Sequence, residues 1–324
     1  MLGLFPEIRP YQEGTLKVSD GHELYYEQCG EPAGLPVLVL HGGPGAGCQA
    51  LQRRFFDPRH YRIILLDQRG SGRSTPHAST EHNSTSLLLD DIEALREHLD
   101  IEQWVLFGGS FGGMLALLYA LRHPEKVSGL IVRGVFLARQ CDIDWYFGGG
   151  ASQIFPDAYA EFRRHLPEDE RGDVLEAYHR RLNGKDEIAR LAAARAWGSY
   201  AARIRTLNEN NHLREQYHDT HRALSIARIA NHYARHQYFL KPNEILDNAH
   251  KLGDIPGFLV HGRYDVVSPL SAAWELQKRW AGSELMIIRG AGHVSSESPT
   301  VDALIRAGRE MYRQLTNTLP DAAD

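Results

Sequence analysis

The sequence predicts an α/β fold, with a mostly parallel central sheet flanked by helices and an inserted helical cap. Three observations indicate this fold. Short apolar runs alternate with stretches of helical periodicity, which favours a parallel sheet with right-handed crossovers. Glycine-rich stretches follow the apolar runs, at the strand ends where function collects in such sheets. Between residues 139 and 250 the apolar strands disappear and helical stretches follow one another.

Most of the predicted strands are continuous apolar runs, as expected for strands that are buried on both faces. They are PVLVL at 36–40, YRIILL at 61–66, WVLF at 104–107, VSGLIVRG at 127–134, FLV at 258–260 and LMII at 285–288. Two further short strands are predicted within residues 15–29, around a turn at Ser19-Asp20-Gly21. Apolar residues at helical spacing predict helices over 86–99, 114–121 and 301–315.

The change of pattern along the chain divides it into three segments. Residues 1–138 are predicted to form the first part of the core, 139–250 the helical cap, and 251–324 the second part of the core. Long helices are expected in the cap at 173–182, 187–204 and 220–233. A chain of 324 residues fits one large core with an inserted piece.

Composition excludes several classes of function. The chain is 43% hydrophobic and 24% charged, which is ordinary for a globular protein, and its net charge of −5 argues against nucleic-acid partners. The three cysteines, Cys29, Cys48 and Cys141, lack C-x-x-C spacing and indicate neither a disulfide framework nor a zinc site. Without a signal-like N-terminus or an apolar stretch of about 18 residues, we expect a cytoplasmic protein with no membrane contact. Its oligomeric state stays open.

The stretch GGSFGG at residues 108–113 lies between a predicted strand and a predicted helix. This is the G-x-S-x-G pattern in which a sharp strand-to-helix turn presents the central serine, here Ser110, above the sheet. The helix N-terminus at this point favours developing negative charge. Alone, the pattern is also compatible with a glycine-rich turn that contains an incidental serine.

Two later stretches supply the partners that a nucleophilic serine requires. Asp265 follows the strand at 258–260, and His293 follows the next strand, at 285–288. The chain order Ser110, Asp265, His293 is the order of α/β-hydrolases. His293 would take and return the serine proton, while Asp265 would fix its tautomer. Taken singly, His293 could be a plain loop histidine and Asp265 a helix cap.

Two backbone N–H groups are predicted to stabilise the oxyanion. One belongs to Phe111, the residue after the serine, and the other to Gly43 in the HGGPG stretch at 41–45, which follows the first long core strand. The alternative for HGGPG is a tight Gly-Pro turn without a catalytic role.

At this point the sequence resembles the proline iminopeptidase (prolyl aminopeptidase) branch of the α/β-hydrolases. The matching stretches are HGGPG at 41–45, DQRGSGRS at 67–74, GGSFGGMLALLYALRHPEKV at 108–127, RGVFLAR at 133–139, GGGASQIFPDAY at 148–159, HGRYDVVSP at 261–269 and GAGH at 290–293. The resemblance covers nearly the whole chain and implies a serine peptidase that removes N-terminal proline from small peptides without a metal or cofactor. It also implies a cap with an apolar pocket for the proline ring. Phe136 matches an aromatic residue that lines this pocket, and Tyr146 and Phe147 are further candidates.

The sequence departs from the family pattern where the family holds the substrate's α-ammonium. Members usually carry W-x-x-W-E and R-I-E-N-H-Y-F, whereas residues 197–201 read WGSYA and 228–234 read RIANHYA. The two glutamates are thus replaced by Ala201 and Ala230, and the usual tryptophan after the nucleophile is Phe111. Because an ammonium group without a carboxylate is costly in a closed pocket, we expect the amine anchor to be absent. Glu209 and Glu215 are candidates to replace it.

Three functions therefore compete. The first is a proline iminopeptidase with altered or relaxed specificity. The second is an amidase or carboxylesterase of the same fold that acts on uncharged substrates. The third, a non-catalytic binding protein, is disfavoured by the complete set of catalytic residues.

Overall fold

The sheet is the element that positions the predicted site. The computed structural model describes residues 1–206, 215, 217 and 219–317. The described residues form one sheet of eight strands: β1 (Gln12–Lys17), β2 (Glu23–Gly30), β3 (Leu35–Leu40), β4 (Tyr61–Leu66), β5 (Trp104–Gly109), β6 (Val127–Arg133), β7 (Gly257–Gly262) and β8 (Ser283–Ile288). Their order is β1-β2-β4-β3-β5-β6-β7-β8. Only the pairs β1–β2 and β2–β4 are antiparallel, so the predicted mostly parallel sheet is confirmed.

Eleven α-helices are present in the described part of the chain. They are α1 (Thr85–His98), α2 (Phe111–Arg122), α3 (Gln140–Phe147), α4 (Ala151–Ile154), α5 (Pro156–Arg164), α6 (Val174–Leu182), α7 (Glu187–Arg203), α8 (Thr220–Arg235), α9 (Glu244–Asn248), α10 (Ser271–Gln277) and α11 (Ser298–Thr316). The expected helices at 86–99, 187–204 and 301–315 correspond to α1, α7 and α11. None of the described helices is both long and apolar enough to cross a membrane.

Alternate residues of the central strands face two different hydrophobic layers. In β3, Leu38 and Leu40 join the layer covered by α1 and α2, while Val37 and Val39 join the layer covered by α11. Since successive side chains of a strand point to opposite faces, a strand covered on both sides must be apolar at every position. This explains why the central strands are continuous apolar runs rather than alternating ones.

A separate hydrophobic cluster forms between β6 and β7, where the cap was predicted. It is built mainly from α5, α6, α7 and α8, and Phe162 lies at its centre, stacked on Tyr178 at 4.4 Å and on Tyr200 at 4.7 Å between ring centroids. The last part of the insertion is different, because Ile245 and Leu246 pack with the layer that covers the sheet. The helical insertion thus returns to the core before residue 250, and the three-segment division stays a prediction.

Arg69 lies in the loop that follows β4, and its side chain connects this loop to helix α1. Its guanidinium is 1% exposed and donates to both carboxylate oxygens of Asp91 at 2.7 Å. It also donates to the Ser19 hydroxyl and to the His82 carbonyl, each at 2.8 Å. Every side of this buried charge is therefore occupied, which gives the DQRGSGRS stretch a structural role.

We expect Asp91→Ala to lower the free energy of unfolding by about 3–5 kcal/mol, because it removes the closest counter-ion of the buried Arg69 charge and leaves only Asp20, at 3.7 Å. Denaturant unfolding would measure the loss. Asp90→Ala is the matched control: Asp90 is the neighbouring residue on α1 and pairs with Arg122 at the surface, so its loss should cost less than about 1 kcal/mol. Equal effects of the two substitutions would contradict the structural role of Arg69.

Candidate active site

The backbone at Ser110 has a conformation that few residues adopt. Ser110 joins β5 to α2 with φ 55° and ψ −120°, a strained geometry for any residue other than glycine. The neighbouring glycines permit it: a Cβ atom on Gly108 would overlap the Gly112 carbonyl, and one on Gly112 would overlap the Leu40 carbonyl. The G-x-S-x-G spacing is thus explained by close backbone contacts on both sides of the serine.

Asp265 and His293 form a buried hydrogen-bonded pair. His293 Nδ1 lies 2.7 Å from Asp265 Oδ2, and the two side chains are at most 1% exposed. The other carboxylate oxygen, Oδ1, accepts from the backbone amides of Val267 at 2.9 Å and Ser268 at 2.8 Å. A carboxylate only accepts, so His293 carries its proton on Nδ1 and keeps a lone pair on Nε2. That buried Nε2 has no hydrogen-bond partner among the described residues.

The end of β6 brings Ser110 together with this pair. The Ser110 amide donates to the Arg133 carbonyl at 2.9 Å. The next residue, Gly134, has φ 52° and lies against the other two side chains, because a Cβ atom there would stand 3.0 Å from His293 Cε1 and 3.4 Å from Asp265 Oδ2. Ser110 and His293 also line one cavity. The three predicted catalytic residues therefore converge at one edge of the sheet.

The surroundings keep the imidazole neutral. Burial, together with the charges of Arg133 and Arg205, lowers the pKa of His293 to about 4 in spite of the opposing effect of Asp265. Burial alone would raise the pKa of Asp265, but His293 and the other hydrogen-bond donors outweigh it and hold that pKa below its ordinary value. The site thus presents an ionised carboxylate beside a neutral imidazole, which is the state that a general base requires.

Two backbone amides are available beside Ser110. Phe111 is the first residue of α2, where an amide has no acceptor within its own helix, and Gly43 lies in the loop after β3 with φ 121°. Neither amide donates in any hydrogen bond between described residues. The loop touches the serine closely, since a Cβ atom on Gly42 would lie 3.6 Å from Ser110 Cβ. Gly43, Phe111 and Ser110 line the same cavity.

An apolar cavity opens between Ser110 and the cap. All three predicted pocket residues line it, namely Phe136, Tyr146 and Phe147. Their rings pack in two groups on this wall: Phe136 meets Tyr238 at 4.9 Å, and Tyr146 meets Phe147 at 4.5 Å between centroids. Such a wall suits a small apolar ring or chain.

Ala201 and Ala230 also line this cavity, so the positions inferred for the missing glutamates do face the site. Of the two candidate replacements, Glu215 is exposed and outside the cavity wall, and Glu209 lies outside the described residues.

The sequence analysis missed two charged residues of the cavity wall, Asp142 and Arg205. Asp142 accepts from the backbone amide of Arg139 at 3.0 Å and from its guanidinium at 3.0 and 2.7 Å. An arginine three residues before an aspartate is a recognisable signal for such a pair, but nothing in it indicates proximity to Ser110. Arg205 follows the end of α7, where a cation is normally interpreted as a solvent-exposed residue that stabilises the helix C-terminus.

No group of three or more histidine, cysteine, aspartate or glutamate side chains is arranged to hold a metal ion within the part of the chain that the structure describes.

Comparison with known proteins identifies relatives of the whole chain. A family model described as the alpha/beta hydrolase fold matches residues 36–299. A proline iminopeptidase from Xanthomonas citri is 49% identical over 308 residues, covering 95% of this chain and 98% of that protein. A proline iminopeptidase from Arabidopsis thaliana is also 49% identical, covering 95% of this chain and 82% of that protein.

Solved structures support the same architecture. An esterase from Exiguobacterium antarcticum superposes with a TM-score of 0.66 at 22% identity, covering 93% of this chain and 99% of that chain. At this identity the similarity shows the fold alone, and the predicted α/β-hydrolase fold is confirmed.

We expect the His293 imidazole to stay neutral as the pH falls from 6.5 to about 4, because burial and two nearby arginines oppose its protonation. Titration of the histidine ring resonances by NMR would measure this, with His293→Ala to assign the signal. Arg205→Gln should raise the pKa of His293, since it removes one repelling charge. A pKa of His293 at or above 6.5 would contradict the prediction.

Proposed function

The chain belongs to the proline iminopeptidase family of the α/β-hydrolases, and we propose that it releases N-terminal proline, or a similar residue, from small peptides through an acyl-enzyme on Ser110. Its identity of 49% to a proline iminopeptidase over nearly the full length of both chains makes it a serine hydrolase. The buried Asp265–His293 pair beside Ser110 is the observation that supports the catalytic assignment.

The roles of the site residues follow from their chemistry. His293 Nε2 takes the proton of the Ser110 hydroxyl as its oxygen attacks the carbonyl carbon, and later gives this proton to the leaving amine. Asp265 holds the imidazole through Nδ1 and stabilises the imidazolium form. The amides of Gly43 and Phe111 donate to the oxyanion of the tetrahedral intermediate. Water then attacks the acyl-enzyme by the same route and regenerates the serine.

We expect Ser110→Ala to lower kcat by a factor on the order of 10⁶, because the acyl-enzyme can no longer form. The free energy of unfolding should change by less than about 1 kcal/mol, since alanine adopts the same backbone geometry with almost the same volume. Steady-state kinetics and thermal unfolding measure the two effects. Ser128→Ala is the control, because Ser128 lies near the start of β6 and away from this cavity. Substantial hydrolysis by Ser110→Ala would refute the nucleophile.

The apolar cavity supports proline as the acyl residue. Phe136, Tyr146 and Phe147 offer ring faces and edges against which a pyrrolidine ring can pack. The apolar side chain of proline needs no hydrogen-bond partner there. The support for binding the substrate's α-ammonium group is weaker. Asp142 is the only carboxylate on the wall among the described residues, and Arg139 already occupies both of its oxygens.

One observation favours a second candidate function. Because Ala201 and Ala230 face the cavity where the family carries glutamates, an uncharged acyl group fits this wall better than an ammonium does. The alternative is therefore an amidase or carboxylesterase that uses the same serine on uncharged substrates. The two functions share the catalytic residues and differ only in what the cavity accepts.

We expect proline p-nitroanilide to be cleaved slowly relative to uncharged acyl esters, and the pair Ala201→Glu and Ala230→Glu to raise its kcat/KM by about tenfold, which is what one charge-assisted hydrogen bond supplies. N-acetylproline p-nitroanilide is the control, because it lacks the ammonium and should gain nothing. Equal changes on both substrates, or no gain with the free amine, would mean that another residue holds the amine.

The substrates of this family are small peptides or esters, and we propose peptides of a few residues because the cap lies over the nucleophile. We propose the cytoplasm as the compartment, on the ground that all three cysteines are free thiols.

A further inference from the structure

Two cavities of opposite character meet at Ser110. The first is the aromatic cavity under the cap. The second is lined by Ser110 and His293 together with three arginines, Arg133, Arg205 and Arg222. Gly43, Ser110 and Arg205 line both cavities. A substrate whose scissile bond lies at Ser110 thus has one side in an aromatic environment and the other beside a cluster of guanidinium groups.

Tyr217 and Gln49 provide partial compensation for this cluster. The guanidinium carbons of Arg205 and Arg222 lie 5.2 and 5.9 Å from the centre of the Tyr217 ring. Arg222 can also donate to the amide oxygen of Gln49 at 3.0 Å. Such contacts stabilise a cation without neutralising it.

The cluster lacks counter-ions among the described residues. No carboxylate there lies within ion-pair distance of any of the three arginines, and the buried Nε atoms of Arg205 and Arg222 have no hydrogen-bond acceptor. Among the residues that the structure describes, Arg133 donates to the backbone carbonyl of His293 alone. Half-buried cations without a carboxylate leave strong donors available for an anionic ligand.

The three arginines differ in their electrostatics. Burial opposes the charge of Arg205, but Tyr217, Tyr146 and Asp265 outweigh burial and raise its pKa, whereas the pKa values of the other two arginines are lowered. Burial and the charge of Arg205 together lower the pKa of Arg133 to about 10, although Asp265 opposes the change. Burial also lowers the pKa of Arg222, and Arg205 again adds to the decrease. The nearby carboxylates are occupied, since Asp265 holds His293 and Glu297 accepts from the Gly292 amide. Mutual repulsion of the arginines would be relieved by a bound anion.

The arginine cavity lies on the leaving-group side of the site. His293, which returns the proton to the leaving amine, lines this cavity and is absent from the aromatic wall. When Ser110 Oγ bonds to the carbonyl carbon and the C–N bond breaks, the leaving nitrogen takes the proton from His293 Nε2. The amino acid released must therefore leave through the space between His293 and the arginines.

We propose that Arg205 and Arg222 bind the free α-carboxylate of the leaving residue, so that the preferred substrates are dipeptides. The proposal rests on the proposed function and specifies how the leaving residue of the substrate is bound. A dipeptide places its carboxylate two bonds beyond the scissile nitrogen, within the cavity that holds both guanidinium groups. A longer peptide has a neutral peptide group at that point and forgoes the charge-assisted hydrogen bonds.

The test compares prolyl-alanine with prolyl-alaninamide, which differ only in the carboxylate. We expect kcat/KM to be about tenfold or more higher for the acid, mainly through KM, because a charge-assisted hydrogen bond to the leaving residue already forms in the bound substrate. Arg222→Gln should bring the acid-to-amide ratio close to one. Arg228→Gln is the matched control, because Arg228 lies on the same helix, bonds to Asn183 and is absent from the cavity wall.

Equal kcat/KM for the two peptides, or equal effects of Arg222→Gln and Arg228→Gln on their ratio, would overturn the carboxylate site. If neither peptide is cleaved, the proposed function fails and the cavity is tested on its own. Calorimetry would then compare N-acetylalanine with N-acetylalaninamide as ligands of the unmodified protein. Tighter binding of the acid, lost in Arg222→Gln, supports the site, and equal binding of the two refutes it.

Discussion

The hydrogen bond between Asp265 and His293 is the interaction on which the site depends. It lies in a region closed to water, where an ionised carboxylate persists only with several donors around it. A second histidine, His261, stabilises the position of the Asp265 loop through two hydrogen bonds. Its Nε2 donates to the Ser268 carbonyl at 2.8 Å, and its Nδ1 accepts from the Val135 amide at 3.0 Å. Burial lowers the pKa of His261 and keeps it neutral. The loop that carries Asp265 is thereby tied to the chain leaving β6.

Parallel pairing explains why residues so distant in sequence share this environment. The strands β3, β5, β6, β7 and β8 run in one direction and end at one edge of the sheet. The loops after β3, β5, β7 and β8 carry the four parts of the proposed site, in turn the amide of Gly43, the hydroxyl of Ser110, the carboxylate of Asp265 and the imidazole of His293. The chain that leaves β6 packs against this pair of side chains at Gly134. The strain at Ser110 is tolerated because β5 and most of α2 are buried and leave the turn no room to relax.

These features also explain what the sequence can predict. The apolar strands, the helical periodicity and the order of the catalytic candidates can all be recognised in the sequence. The parallel sheet then brings Ser110, Asp265 and His293 to the same edge. Side chains that meet through the packing of the cap have no such signal. From the sequence, Arg205 is expected at a solvated helix end. In the structure its guanidinium lies 5.2 Å from the centre of the Tyr217 ring, and Arg205 lines a cavity with Ser110. Helix α3, which carries Asp142, was not predicted, because eight residues show too little periodicity.

The charges around Ser110 connect substrate choice to catalysis. Burial is the main cause of the lowered pKa of His293, and the charges of Arg133 and Arg205 add to it, which makes His293 a weaker base in the empty site. The same positive field disfavours an ammonium group in the adjoining cavity, whose wall carries alanines where the family carries glutamates. A carboxylate bound between Arg205 and Arg222 offsets part of that field. It therefore raises the pKa of His293 when a leaving residue is in place, so the base gains strength in the complex in which it must act.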